Sequence, residues 1–441
     1  MTGYDAATSR PTIFALSSGA PPCAIAVIRM SGPAAFETAE RITGMALPEP
    51  HRAALRRLRD PASGETIDEG LLLRIDADRS VTGEPLVEFH CHGARAVVRD
   101  LEHILARCDG VRAAEAGEFT RRAFMNGRMD LASVEGLGDL LAAETTLQRR
   151  TALAMMGGQL GRQITAWGEK LTRLAAHVEA SLDFSDEDDV AGQGDDLSHL
   201  AEGCRAIADE MRAALDKPMA HRLRDGLRVA IAGPPNAGKS TLFNALVGRD
   251  AAIVSAQAGT TRDVIEAPVA LGGMAFVLAD SAGLRDATDE IERIGVDRAA
   301  GLVEAADIIL WLGAPDAQPA AQGRLLQIHG KADLLDASAP PVPGGIAVSA
   351  LSGEGLDVLV TALCRAAGEL LPRPGDYALS QRQHDALARA EHAAREAAGH
   401  RDEILIGECL RQALAALDEL TGRATTDAVL DEVFSGFCIG K

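Results

Sequence analysis

Aromatic side chains are scarce in this chain: Phe, Trp and Tyr together make up 3% of 441 residues, against an apolar fraction of 47%. Its cores must therefore be built from Ala, Leu, Val and Ile, and the wealth of Ala and Leu tilts the chain towards helix. Long apolar runs are missing too, none approaching the roughly 18 residues needed to span a bilayer. The first residues, MTGYDAATSRPTIFALSSG, lack a basic stretch followed by an apolar one, so they do not read as a secretory signal and a cytoplasmic location is expected. The seven cysteines are scattered, odd in number and without a CxxC pair, which argues against a disulfide framework and a structural zinc site. His90-Cys91-His92 could suggest a metal cluster. In a strand, however, the two imidazoles share one face and the thiol takes the other, so ordinary packing is expected. Positive charge is also in deficit. A net charge of −20 argues against broad nucleic-acid affinity, which comes from Lys and Arg neutralising phosphates, but excludes neither a local basic patch nor a partner that carries the nucleic acid.

The length calls for more than one domain. Residues 1–121 mix short β-type runs (24–28 and 86–90) with helical stretches such as 95–107, the texture of an α+β or α/β domain. Residues 122–221 turn helical, with apolar positions three and four apart; the acidic run 185–189 within them reads as a solvated face. Residues 222–372 alternate strand, loop and helix, with β-type runs at 227–232, 275–279, 308–312, 325–329 and 345–349, which predicts a parallel sheet with helices on both faces. Residues 373–441 return to Ala/Leu-rich helix. The fold expected is thus multidomain, α/β and all-α: an N-terminal α+β domain, then a helical domain interrupted by an inserted Ras-like α/β domain.

Chemistry concentrates in the inserted block. Gly233-Pro234-Pro235-Asn236-Ala237-Gly238-Lys239-Ser240 is a full GxxxxGK[ST], placed after a β-run and before a helical run that begins at Thr241. Its backbone N–H groups are suited to cradle phosphate oxygens, Lys239 to reach the β- and γ-phosphates, and the Ser240 hydroxyl to ligate Mg²⁺. Asp280-Ser281-Ala282-Gly283 ends the next β-run, where a carboxylate can hold Mg²⁺ through water and a glycine N–H can sense the γ-phosphate. Between the two lies Gly259-Thr260-Thr261-Arg262-Asp263, whose threonine can complete the Mg²⁺ shell. Lys331-Ala332-Asp333 supplies base choice: a carboxylate accepts from guanine N1–H and its exocyclic amine, a pattern adenine does not offer. Ser349-Ala350-Leu351 fits a loop whose backbone meets the guanine carbonyl oxygen. Gly330 stands where such GTPases carry an Asn that ties the base-binding loop to the P-loop, so weaker nucleotide affinity is expected. Leu284 occupies the place of the Gln that often orients the attacking water, so that task falls elsewhere.

From end to end the chain resembles the tRNA modification GTPases of the MnmE (TrmE) family. The likeness is carried by AIAVIRMSGP (24–33), TGEPLVEFHCHG (82–93), GEFTRRAFMNGRMDL (117–131), PNAGKSTLFNAL, AGTTRDV, DSAGLR and the terminal FCIGK (437–441). The resemblance implies a K⁺-activated GTPase whose G domains pair across a homodimer. Asn236 would bind K⁺ with oxygens around Ser255, Gln257 and Thr260, and Glu292 would orient the water. Mg²⁺ would be held by Ser240 and Thr261. It also implies an N-terminal dimerisation domain that binds 5-formyl-tetrahydrofolate or a related folate through Arg29, Glu88, Arg128 and Lys441, with Arg128 standing where Lys is usual. The implied partner is the FAD-containing MnmG (GidA), in a heterotetramer that builds a carboxymethylaminomethyl-type group at carbon 5 of the tRNA wobble uridine, the tRNA being held mainly by that partner. The rival reading is a regulatory GTPase of the Era or Der type in ribosome assembly. It shares the P-loop and the TTRD-like segment but leaves residues 1–121 and FCIGK without a role.

Overall fold

A computed structural model describes residues 10–183, 193–249, 265–280, 301–334, 344–373, 375–424 and 426–440. The chain divides into two compact units, Met1–Gly138 with Thr421–Lys441, and Asp139–Leu420.

In the first unit, strands β1 (Thr12–Leu16), β2 (Cys23–Ser31), β3 (Ala53–Arg59), β4 (Thr66–Ile75), β5 (Leu86–Gly93) and β6 (Val111–Ala113) form a sheet in the order β3-β4-β5-β2-β1-β6. All its pairs are antiparallel except β1–β6. Alternation decides the faces. Ile28, Phe89 and Leu72 lie in register on one side and are buried, while Arg29, Glu88 and Leu73 share the other. Helices α1 (Ala35–Thr43) and α2 (Arg95–Ala106) cover the apolar side. They bury Ala39, Ile42, Leu101 and Leu105 at helical spacing in one core with Ile28 and Phe89.

Helix α3 (Glu118–Met125) meets α13 (Asp427–Ser435) in the same unit through Phe124 and Phe434, whose ring centroids are 6.1 Å apart. Beyond α13, Ile439 bridges to Ala116, and Ser17 donates its hydroxyl to the Gly440 carbonyl at 3.0 Å. Gly440 has φ +95°, and a Cβ there would run into the Leu16 carbonyl, so glycine is required. In sequence, residues 373–441 read as one helical segment. In the structure, residues 421–440 pack with residues 10–138, because the Phe124, Phe434 and Phe437 side chains bury one another.

Helix α4 (Leu131–Ala142) begins in the first unit; the second unit holds the other helices and the second sheet. α6 (Gln159–Asp183) packs on α7 (Gln193–Leu215), and α7 on α11 (Gln381–Ala397). α12 (Glu403–Thr421) follows, burying Ile406, Leu410, Ala413 and Leu417 along one stripe. Strands β7 (Leu227–Ala232), β8 (Ile265–Leu271), β9 (Met274–Asp280), β10 (Ile308–Trp311), β11 (Arg324–Gly330) and β12 (Ile346–Val348) run in the order β12-β11-β10-β7-β9-β8. β7 and β10, in the middle, are almost continuously apolar, as strands covered on both faces must be. Helices α9 (Lys239–Val247) and α10 (Leu356–Leu370) join one core with the sheet, and Val303 and Ala306 join a second with Ala230, Ala232 and Ile309. The expected all-parallel sheet needs one correction: β8 runs antiparallel to β9 at the edge. Its Pro268 argues against a central strand but is tolerated at an edge, and Gly272-Gly273 makes the tight turn into β9.

Candidate nucleotide site

Strand β7 ends at Ala232, and Gly233–Ser240 turn back into α9 with Gly238, at φ +95°, as its N-cap. The helix N-terminus therefore opens into the loop, a ready anion site. Lys239 is only 9% exposed, and its ammonium donates to the Gly233 and Pro234 carbonyls at 2.9 Å each. That places the charge inside the loop, where phosphate oxygens would receive it. Ser240 and Thr241 follow on the exposed first turn of α9.

Asp280, the last residue of β9, is 4% exposed and lies in register with Ile231 of the adjoining β7, next to the P-loop. Two loops farther along the sheet close the other side. β11 leads into Lys331 and Asp333, both exposed, and β12 into the buried Ser349, then Ala350 and Leu351. A Ser349 turn fixes the last of these, with the Ser349 hydroxyl accepting from Ser352 N–H at 3.1 Å and its carbonyl from Gly353 N–H at 2.9 Å. A cavity of about 110 Å³ joins the two halves, lined by Gly238, Thr241, Gly330, Lys331, Asp333 and Ala350 among others. Asn236 and Lys331 are two of the three described non-glycine residues with positive φ, at +63° and +60°. Such conformations cost energy and persist where the surroundings enforce them, most often at functional loops.

The apolar walls of this cavity, Leu242, Leu312, Ile328 and Val348, were not singled out in the sequence. The signal was present: Leu312 and Val348 sit at or just beyond the ends of β10 and β12, and Ile328 two residues before the end of β11, in the region where ligands bind in open α/β sheets. Gly330 also has a closer neighbourhood than its spacing suggests. A Cβ there would lie 3.0 Å from the Ala237 carbonyl oxygen and 3.4 Å from Leu312 Cδ2, so β11 ends hard against the P-loop. Ser255, Gln257, Thr260, Thr261, Ser281, Ala282, Gly283, Glu292 and Lys441 lie outside the described residues.

In the first unit, Arg29 and Glu88 face each other across β2–β5, Nη2 to Oε1 at 2.9 Å, and His90 Nε2 lies 3.1 Å from Glu88 Oε2. Burial pushes the Glu88 carboxyl up, but the Arg29 charge and the hydrogen bonds from His90 and Arg29 outweigh it and hold the group below its ordinary value. The Arg29 guanidinium also stacks 5.9 Å from the Phe119 ring. Arg128 bonds instead to the Ala77 carbonyl on the loop before β5. Ser17, beside the Gly440 carbonyl, lies in the loop that links β1 to β2. His92 pairs with Asp68 at 2.8 Å, while Cys91, buried on the opposite face, has its thiol raised to about 11 by desolvation.

The sequence matches the family profile described as MnmE helical domain over residues 131–438 and that described as GTP-binding protein TrmE N-terminus over 12–128. It is 50% identical to a tRNA modification GTPase MnmE of Erythrobacter litoralis over 98% of this chain and 100% of that one. The same named protein of Zymomonas mobilis is 48% identical over 98% of this chain and all of its own. That of Rhizorhabdus wittichii is 51% identical over 99% and 98%.

Proposed function

The chain belongs to the tRNA modification GTPase MnmE family, a GTP hydrolase acting in tRNA modification, and from that premise we propose the chemistry its sites perform. The observation that carries the reading is the convergence of the P-loop, Asp280 and the Lys331–Asp333 loop at one end of one sheet. GTP seats its phosphates on the N-terminus of α9 and its guanine between Thr241, Gly330 and Ala350, with Asp333 as the acceptor that selects it. Hydrolysis is attack of water on the γ-phosphorus with cleavage of its bond to the β–γ bridging oxygen. Lys239, already held within the loop, meets the charge that gathers on those oxygens.

The oxygens of Ser240 and the buried Asp280 form a donor set suited to Mg²⁺, with Thr261 completing it. Asn236, held at positive φ in the P-loop, offers an amide oxygen to K⁺ together with Ser255, Gln257 and Thr260. When bound, the two cations supply positive charge beside the transferring group. Glu292 orients the water. Around this G domain (222–372) we place an N-terminal domain (1–121) and a helical domain in two parts (122–221 and 373–441), of which residues 421–440 pack with the first unit.

The N-terminal sheet takes a formyl-tetrahydrofolate as one-carbon source. Glu88 suits a pterin because Arg29 and His90 keep it a carboxylate, an acceptor for ring and amino N–H groups. Arg29, Arg128 and Lys441 are the cations available to the folate's carboxylates. The protein works as a homodimer in a heterotetramer with the FAD-containing partner MnmG (GidA), which holds most of the tRNA, to install a carboxymethylaminomethyl-type group at C5 of the wobble uridine. The acidity of this chain agrees with a partner-borne tRNA. The location is cytoplasmic; among the described residues no helix is long and apolar enough to cross a membrane. The deciding experiment compares GTP turnover by the purified chain in K⁺ and in Na⁺. Faster turnover in K⁺ is expected, and equal rates remove the K⁺ mechanism. Mass spectrometry of wobble uridines from a deletion strain tests the pathway, and unchanged modification ends it.

A further inference from the structure

Helix α5 (Thr146–Met156) lies outside the second sheet, yet its first turn is built into the segments that feed the nucleotide site. Thr145 and Gln148 form a capping box: Gln148 N–H donates to Thr145 Oγ1 at 3.3 Å, and Gln148 Oε1 accepts from Thr145 N–H at 2.8 Å and Glu144 N–H at 2.9 Å. The other end of the same amide faces away from α5. Gln148 Nε2 donates to the Leu223 and Arg224 carbonyls, at 3.0 and 3.3 Å. Those carbonyls close the last turn of α8 (Ala220–Asp225), which has no further turn to satisfy them. After Gly226 the chain enters β7 and then the P-loop.

One residue earlier, Leu147 N–H donates to the Gly273 carbonyl at 3.2 Å, in the turn between β8 and β9. β9 ends at Asp280. The Leu147 side chain, 5% exposed, is part of the same core as Leu227, Phe276 and Leu278. A single helix end thus grips both chain segments that lead to phosphate-facing residues. Gln148 is 8% exposed and spends both ends of its amide on this joint. Beside it lies a cavity of about 30 Å³, lined by Gln148, Thr151, Met155 and Leu223, with the Thr151 hydroxyl buried and unmatched by any described protein group. A joint bonded on both sides passes a displacement of either segment to the helix it holds.

We propose that Gln148 is the positioning residue that couples nucleotide state to the helical part of the chain, by holding α5 to the α8–β7 lead-in while Leu147 holds it to the β8–β9 turn. The inference rests on the nucleotide-site reading above. A shift of β9 or the P-loop on exchange of GDP for GTP moves α5, and by reciprocity a displaced α5 changes the relative affinities for the two nucleotides.

The test is amide hydrogen exchange on the full chain with Mg²⁺ and either GDP or a non-hydrolysable GTP analogue, following peptides that cover 233–240 and 146–156. In the unaltered protein both segments are expected to exchange differently in the two states, 146–156 by about fivefold or more. Gln148→Glu keeps the oxygens that cap α5 but sets a negative charge against two carbonyls. It is expected to leave 146–156 protected and to shrink the difference between the states by about twofold or more, the Leu147 bond carrying the rest, while 233–240 still reports nucleotide. Should that variant melt α5, Gln148→Asp supplies the comparison, keeping a capping carboxylate at the third helical position but falling one carbon short of the α8 carbonyls. Equal exchange of 146–156 in both states of the unaltered protein overturns the inference, as does a state difference that is undiminished in the variant that keeps α5 folded. Absence of any nucleotide effect at 233–240 would strike the nucleotide-site reading instead.

Discussion

Replacing Gly330 by Asn should tighten guanine-nucleotide binding, and the structure sets the size of the gain. The Cβ of any residue at 330 would lie 3.0 Å from the Ala237 carbonyl oxygen and 3.4 Å from Leu312 Cδ2. The nearer atom is P-loop backbone, so the loop must yield by a few tenths of an ångström, and that opposes binding. The amide works the other way, adding a hydrogen bond between the base loop and the backbone of the P-loop. One such bond contributes about 0.5–1.5 kcal/mol net, or roughly a 2- to 12-fold fall in Kd. Gly330→Ala carries the crowding without the amide, so the two variants separate the terms. Calorimetric titration with GDP and Mg²⁺ should find Ala equal to or weaker than the unaltered chain and Asn tighter than Ala by the factor above. If Asn binds no tighter than Ala, β11 and the P-loop are not joined through this position, and the expectation that Gly330 weakens nucleotide affinity fails.

Asp333→Asn should move base preference from guanine towards xanthine, whose C2 carbonyl replaces the amine; retained selectivity in a GTP/XTP competition would assign base reading to another group. Asn236→Ala should abolish the K⁺ stimulation of turnover while nucleotide binding persists, and an undiminished K⁺ response removes Asn236 from the cation site. Glu88→Gln should flatten the acid limb of the stability curve. The Glu88 carboxyl lies below its usual 4.5 when folded, so its contribution is full above that value and disappears as pH falls through the lowered one. Thermal melts from pH 3 upward should show the variant losing less than the unaltered chain at the acid end, and parallel curves would contradict the sign.

The second sheet was legible where its residues announce a backbone requirement. Gly233 and Gly238 bracket a tight loop, and the apolar runs of β7, β9, β10 and β11 match strands covered on both faces. β8 was hidden because Pro268 spoke against a strand, and only its edge position, a tertiary fact, permits it. β3 reads Ala-Ala-Leu-Arg-Arg-Leu-Arg, with Leu58 buried and Leu55 exposed, so its alternation is too weak to reveal the pairing with β4. The Gln148 joint had half a signature: Thr145 and Gln148 have the spacing of a capping box. Its bonds to Leu223 and Arg224 lie 75 and 76 residues away, and no local pattern encodes them. Pairing of α13 with α3, and of Ile439 with Ala116, is likewise set by distant apolar surface rather than by spacing.

Ile439 and Gly440 reach back to Ala116 and Leu16, and this imposes a timetable on the nascent chain. Residues 10–138 leave the ribosome first, but the segment that finishes their packing, 421–440, emerges only after the whole of 139–420. At about 5–20 residues per second, the early portion waits tens of seconds with Phe124 lacking its Phe434 partner, while the middle of the chain is free to fold ahead of it. A truncation that removes 421–440 would therefore leave the nucleotide-handling portion able to form and the amino-terminal portion without its closing piece.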